Sequence, residues 1–460
     1  MILAAPLLAA CLGLLQVSDL AHHPLLTLSL LGSAFLWLPV AATRLEVAGG
    51  RTGRAIWLCA VVLRLALVPL PLTLSDDALR YLWDGRVAGA GFNPYLLPPA
   101  ATELTPLRDE IWRRLPHTDV PTVYPPLAMT AFSIASRVPF PLTAWKGIAT
   151  AADLGACALL LALARRRGIP PGRTVWYAWN PLVILEVAGA GHVDALGVAA
   201  MLGAVLCLTP RRTPGRTPED QEGRPAPVAA ALWAAAGVLA KLAPAAALLM
   251  WARQTRRSRS GPLRFLAVSG GLSLLAFLPL VISARGVPPG LVRYGISWEF
   301  NGPLYEPLWR LLDSAGAAPA LARGVDWLKV KTEMWEAWNP IYPYLYPQLL
   351  AKALLAAGML AAVARSLRDS DPIDPVIGTG RLFGSLLLLS ATVYPWYVLW
   401  VLPWAALTRN TAWLALSALI LLAYLPKIAG VPLMPWVFAA IWVPFGVLLV
   451  AGKGWKTVPA

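Results

Sequence analysis

SDDALRYLWDGRVAGAGFNPY, residues 75–95, opens a polar stretch that runs to Pro126 between sequences apolar enough to lie in a bilayer. On helical spacing Asp77, Arg80, Tyr81 and Asp84 fall at i, i+3, i+4 and i+7 and share one face. Leu79, Leu82 and Trp83 fall on the other. Ser75 is the expected N-cap, and two carboxylates in the first turn suit the positive end of the helix dipole. Gly85, Gly89 and Gly91 loosen the pattern and Asn93-Pro94 ends it. The spacing predicts a short amphipathic helix at the membrane surface. A solvated helix whose Asp and Arg merely pair with each other has the same pattern. Adjacent acids at the exit from an apolar span are costly, however, and that makes them candidate catalytic groups.

Outside this stretch the composition decides the class. The 460 residues are 58% hydrophobic and 14% charged, with a mean hydropathy of +0.61. Soluble domains carry about 25% charged residues. The chain therefore reads as an all-α polytopic membrane protein forming one transmembrane domain over residues 1–460. Its net charge of +15 sits largely in short loops between apolar runs, which is the positive-inside pattern and argues against a nucleic-acid partner. Cys11, Cys59, Cys157 and Cys207 lie in apolar runs without metal-site spacing and read as packing residues. Met1–Val17 lacks the positive flank of a signal peptide and reads as a retained first span.

Runs at 2–17, 25–43 and 54–74 read as spans, each near the ~20 residues a bilayer requires. Arg44, Arg51 and Arg54 place the loop between the second and third inside, so residues 75–126 emerge outside. That loop has seven acids against five arginines. Inside markers recur at Arg165–Arg167 and Arg173, in the loop Thr209–Pro225 with Arg211, Arg212, Arg216 and Arg224, at Arg253, Arg256, Arg257 and Arg259, and at Lys453 and Lys456. A turn over Glu186–Asp194 is expected near the outer surface. Residues 125–164 hold two apolar runs yet must cross an odd number of times. Residues 226–252 lie between basic loops and are too short for two spans, which predicts a re-entrant or tilted pair of half-helices bent at Lys241 and Pro244. A span at 263–285 leads to a second external segment, 286–339, followed by spans near 340–366, 378–393, 397–408, 411–425 and 433–451. The total expected is roughly 12 transmembrane helices. No inverted repeat of the transporter kind stands out.

Four polar clusters fall on one side by this topology: the first loop, Glu186–Asp194, Arg293–Asn301 and Tyr394–Tyr397. His192 with Asp194 reads either as a capped helix start or as part of a site. Tyr394 to Tyr397 has the residue types of an interfacial aromatic belt. Lys241 is an intramembrane cation, whose natural partner is a phosphate.

The string SDD-x-x-RY-x-WDGRV-x-x-x-G-x-NPY, with TVYPPLA after it, resembles the GT-C superfamily of membrane glycosyltransferases. It is closest in pattern to bacterial polyprenyl-phosphate-mannose-dependent mannosyltransferases. WNPLVILEVAGAGHVDAL (179–196), VLAKLAP (238–244), WEFNGPL (298–304) and YPWYVLWVLP (394–403) follow in the family's order. Relatives often carry His before Pro-Trp-Tyr, where this chain has Tyr394.

The resemblance implies a GT-C-like bundle in the bacterial cytoplasmic membrane with its active site on the outer face. It implies an inverting transfer of a sugar, mannose first, from a polyprenyl phosphate donor to a lipid or glycan acceptor. Asp77 would be the general base, with Asp76 beside it, and Arg80, Lys241 and Arg293 the phosphate-holding cations. Tyr81, Asp84, Tyr124, His192, Asp194, Tyr394 and Trp396 complete the expected substrate-binding set. No metal ligands and no cofactor are assigned, and a divalent-metal requirement is not legible. The competing readings are a glycan polymerase or ligase using diphosphate-linked donors, and a lipid or solute transporter.

Overall fold

Among the described residues, six helices are long and apolar enough to cross a bilayer: Pro24–Val47, Pro141–Arg166, Gly261–Ser283, Pro347–Arg368, Thr411–Ala429 and Leu433–Ala451. They belong to a computed structural model that describes residues 1–48, 52–210, 226–256, 258–368, 374–452 and 454–455. Arg51, residues 211–225 with their four arginines, Arg257, Lys453 and Lys456 lie outside the described residues. The described chain is helical with no strand; Phe300 and Asn301 bridge to Thr392. Proline opens many of the helices, including Pro24, Pro126, Pro141, Pro227 and Pro375, at a position where its missing N–H costs nothing.

The six long helices fall short of the twelve expected spans, because several of the expected ones are short helices. Asp194–Leu208, Pro227–Ala240 and Pro375–Leu388 have 15, 14 and 14 residues, and the expected span at 397–408 is a 3-10 turn followed by Leu402–Thr408. A helix of 14 or 15 residues reaches only about 21–22 Å, against the ~30 Å of a hydrocarbon core. These short helices end together, and the space beyond their ends is where the site forms.

Both segments of uncertain parity acquire a physical account. Residues 125–164 fold as an 11-residue helix, Pro126–Ser136, followed by the 26-residue helix Pro141–Arg166, so only the second of the two apolar runs is long enough to cross. Residues 226–253 form the expected hairpin. Pro227–Ala240 starts beside Cys207, whose carbonyl accepts from Ala226 N–H at 3.3 Å, and ends where Lys241 meets Asp194 at 3.3 Å. It therefore runs antiparallel to Asp194–Leu208. Lys241 is extended (φ −153, ψ 137), and a 3-10 turn over Ala243–Ala247 leads into Leu248–Arg253. Arg253 then donates to the Ser366 carbonyl at 3.0 Å, in the last turns of Pro347–Arg368.

The ends away from Lys241 collect cations. Arg166 donates to the Thr209 carbonyl at 3.0 Å, Arg167 pairs with Asp374, and Arg409 and Arg173 pair with Glu46. Asp194–Leu208 separates this basic end from Lys241 by about 22 Å. The four cysteines are free, and three are buried in helix packing.

Candidate active site

The acidic helix forms at Asp77–Gly89, but it is not a surface helix. Nine of its 13 residues are buried, Arg80, Tyr81 and Asp84 among them. Gly85 is the reason it can sink so far: a Cβ there would stand 2.4 Å from the Phe132 carbonyl carbon of Pro126–Ser136. Only glycine allows that approach. The cap position is Asp76, which makes no side-chain cap bond, while the Ser75 hydroxyl accepts from Asp77 N–H at 3.3 Å. Tyr81 stacks on Phe132 at 4.7 Å and meets Tyr124 edge-on at 4.9 Å. Burial pushes the Asp84 carboxyl above its ordinary value, against the pull of Arg80 at 2.9 Å.

Beyond the helix ends lies a cavity of about 690 Å³, lined by residues of five distant parts of the chain. Asp77 lines it with a carboxylate that has no hydrogen-bond or ion-pair partner among the described residues. Asp76 also lines it but is held by Arg114 at 2.7 Å and Lys427 at 3.7 Å. Arg80 reaches the wall with its nitrogens spoken for: Nε donates to Asp84, and the two terminal nitrogens donate to the His117 and Val120 carbonyls at 3.0 and 2.6 Å. Lys241 faces the cavity from its bend. Its counter-ion Asp194, buried, also accepts from Trp400 Nε1 at 2.7 Å. The ammonium lies 5.3 Å from the Tyr397 ring centroid and 5.9 Å from those of Tyr124 and Trp400.

Tyr394 and Trp396 form a cavity wall, not an interfacial belt. Their rings stack at 4.6 Å, with Phe300 at 4.6 Å on the other side of Tyr394 and His192 at 3.8 Å against Trp396. Tyr294 and Tyr397 share a hydrogen bond of 2.6 Å, and burial pushes the Tyr294 phenol up to about 12. The cavity thus sets flat apolar faces beside a carboxylate and an ammonium.

The Glu186–Asp194 turn is enclosed by protein. Glu186, His192 and Asp194 are buried beside the cavity. A π-turn at Leu185–Gly189 and a positive φ at Gly191 bend the chain so that His192 N–H donates to the Glu186 carbonyl at 3.0 Å. His192 Nδ1 is 3.0 Å from the Glu186 carboxylate, and Nε2 is 3.3 Å from Ser75 Oγ. Tyr424, on the cavity wall, donates to both Glu186 oxygens at 2.9 and 3.1 Å. A hydrogen-bonded chain thus runs from Tyr424 through Glu186, His192 and Ser75 to the backbone of Asp77. Asp194 opens its helix at the first helical position and caps nothing, since its carboxylate is taken by Lys241 and Trp400.

The cavity therefore gathers Asp76, Asp77, Arg80, Tyr124, Lys241, Tyr394 and Trp396, while Tyr81, Asp84, His192 and Asp194 stand behind its walls. Arg293 is outside it, 61% exposed and 3.9 Å from Asp119. The expected site set omits Glu186, Tyr397, Trp400 and Tyr424, although Glu186 and Tyr397 fall within two of the four polar clusters. An acid inside the apolar run VILEVAG is itself a signal for Glu186, whereas the aromatics have no mark distinguishing them from other bundle residues. Among the described residues no three His, Cys, Asp or Glu side chains cluster as a metal site.

A family model described as alpha-(1->6)-mannopyranosyltransferase, N-terminal domain, matches residues 5–254, more than half of the chain. No curated protein and no solved structure matches it. The matched span takes in Asp77, Tyr124, Glu186, His192, Asp194 and Lys241, and stops before the Tyr394–Trp400 wall. The chain belongs to the alpha-(1->6)-mannopyranosyltransferase family.

Proposed function

We propose that the protein is an inverting, GT-C-type mannosyltransferase that moves mannose from a polyprenyl phosphate to a lipid or glycan hydroxyl on the outer face of the bacterial cytoplasmic membrane. The observation that carries the reading is the unpartnered carboxylate of Asp77 in a cavity that also presents Lys241. Asp77 takes the proton of the acceptor hydroxyl as that oxygen attacks the anomeric carbon. The bond from anomeric carbon to phosphate oxygen breaks, and the polyprenyl phosphate leaves with the electron pair. A phosphate leaving group needs positive charge more than a proton. Lys241 is the cation assigned to it, because Arg80 is committed to Asp84 and two carbonyls, and Arg293 points elsewhere.

The test offers purified protein labelled polyprenyl-phosphate mannose, polyprenyl-diphosphate glycans and an acceptor extract, with products identified by mass. Mannose transfer from the monophosphate donor is expected, with Lys241→Ala lowering single-turnover rate about ten- to a hundredfold. Transfer from the diphosphate donor alone would replace the reading with a polymerase or ligase. Donor movement across vesicles without product would replace it with a transporter.

A further inference from the structure

A second cavity, of about 320 Å³, lies toward the basic end of the bundle. It sits between Pro347–Arg368, Pro375–Leu388, Thr411–Leu419 and Phe438–Ala451. Pro375–Leu388 walls both cavities, giving Leu386 and Leu387 to the first and Arg381 and Leu382 to the second. Its chemistry is divided. Met250, Leu382, Leu388 and Leu449 make it apolar, while Arg365 and Arg381 supply two guanidinium groups.

Those two arginines differ from their neighbours. At this end Arg167 pairs with Asp374 and Arg253 donates to the Ser366 carbonyl at 3.0 Å. Arg365 and Arg381 are exposed and make no ion pair or hydrogen bond among the described residues. Two unpaired cations at one apolar cavity have the donor chemistry of a phosphate-ester site. The flanking candidate spans Pro347–Arg368 and Leu433–Ala451 are only 17% and 22% buried, which leaves most of their apolar surface uncovered by protein and open to lipid.

We infer that this cavity binds one anionic glycerophospholipid, its phosphate between Arg365 and Arg381 and the start of an acyl chain against Leu382 and Leu449. The site is separate from the mannosyl-transfer cavity and does not rest on the reading of that cavity. Charge complementarity selects the headgroup, and the apolar depth selects a lipid over a soluble anion.

The full chain, purified in a zwitterionic detergent, is titrated with phosphatidylglycerol, phosphatidylcholine and sn-glycerol 1-phosphate, with bound molecules counted by native mass spectrometry. One phosphatidylglycerol is expected to bind. The double variant R365Q/R381Q should bind it at least about tenfold more weakly, since charge-assisted hydrogen bonds are lost. An unchanged melting midpoint is the folding control. Equal retention of phosphatidylcholine, or binding unchanged in R365Q/R381Q, overturns the proposal. Glycerol phosphate binding as tightly as the lipid overturns it too, in favour of a soluble anion.

Discussion

Asp76 and Asp77 are adjacent carboxylates with different surroundings, and the difference decides which one is free to take a proton. Asp76 holds Arg114 and Lys427, whereas Asp77 faces the cavity unpaired among the described residues. Asp77→Asn is expected to lower single-turnover transfer by about 10²–10⁴ with melting unchanged, the usual cost of losing a general base. Asp76→Asn loses part-exposed ion pairs worth about 0–1 kcal/mol and should keep most activity. The reverse ranking in the same assay would sink the assignment. His192 stands one step back from Asp77, linked through the Ser75 hydroxyl to the Asp77 backbone N–H. His192→Phe keeps a ring against Trp396 but leaves the buried Glu186 without one partner. An unpaired buried acceptor costs about 1–3 kcal/mol, so a lower melting midpoint is expected. Turnover should fall more than donor affinity, because the base is misplaced while the donor pocket stays. A fall in affinity alone would make His192 a wall residue.

The acidic helix is placed by one glycine, and that placement has a stability consequence. Gly85→Ala puts a methyl 2.4–2.5 Å from the backbone carbonyl of Phe132, and backbone cannot swing aside as a side chain does. Overpacking of this kind costs typically about 1–3 kcal/mol. Gly147, inside Pro141–Arg166, has open space where its Cβ would be, and Gly147→Ala should be neutral or stabilising by about 0.4–1 kcal/mol. Thermal melting of the two variants checks both signs, and equal melting would mean the two helices separate at no cost. Elements were legible where local chemistry decides them. The hairpin bent at Lys241 follows from a short apolar segment, a proline and a cation between basic loops. Elements were illegible where distant partners decide them. Glu186 and Asp194 look like turn residues until Tyr424 and Trp400, 238 and 206 positions away, are brought to them. Tyr394 and Trp396 likewise have the same residue types in a cavity wall as in an interfacial belt. A charged face at i, i+3, i+4 and i+7 does not disclose whether it meets water or, through Gly85, the neighbouring helix.

At the scale of the molecule the two ends of the bundle differ in charge, and the positive-inside rule turns that difference into an orientation. Arg166, Arg167, Arg173, Arg253 and Arg409 gather at one end, and Asp194–Leu208 puts the cavity that holds Asp77 and Lys241 about 22 Å away at the other. If the basic end is cytoplasmic, the cavity opens outward and a lipid-linked donor reaches it from the outer leaflet. Native thiols give a quiet background, since Cys11, Cys59 and Cys157 are buried and Cys207 partly so. Glu103→Cys and Lys331→Cys lie at exposed positions of the two segments expected outside, and Ser258→Cys at an exposed position of the basic end. With a membrane-impermeant maleimide on whole cells, the first two should label directly and Ser258→Cys only after permeabilisation. The opposite pattern would put the cavity on the cytoplasmic side, where soluble nucleotide-sugars are available and the polyprenyl donor is no longer required. Labelling of Glu103→Cys and Ser258→Cys from the same side would contradict the antiparallel arrangement on which the depth of the cavity rests.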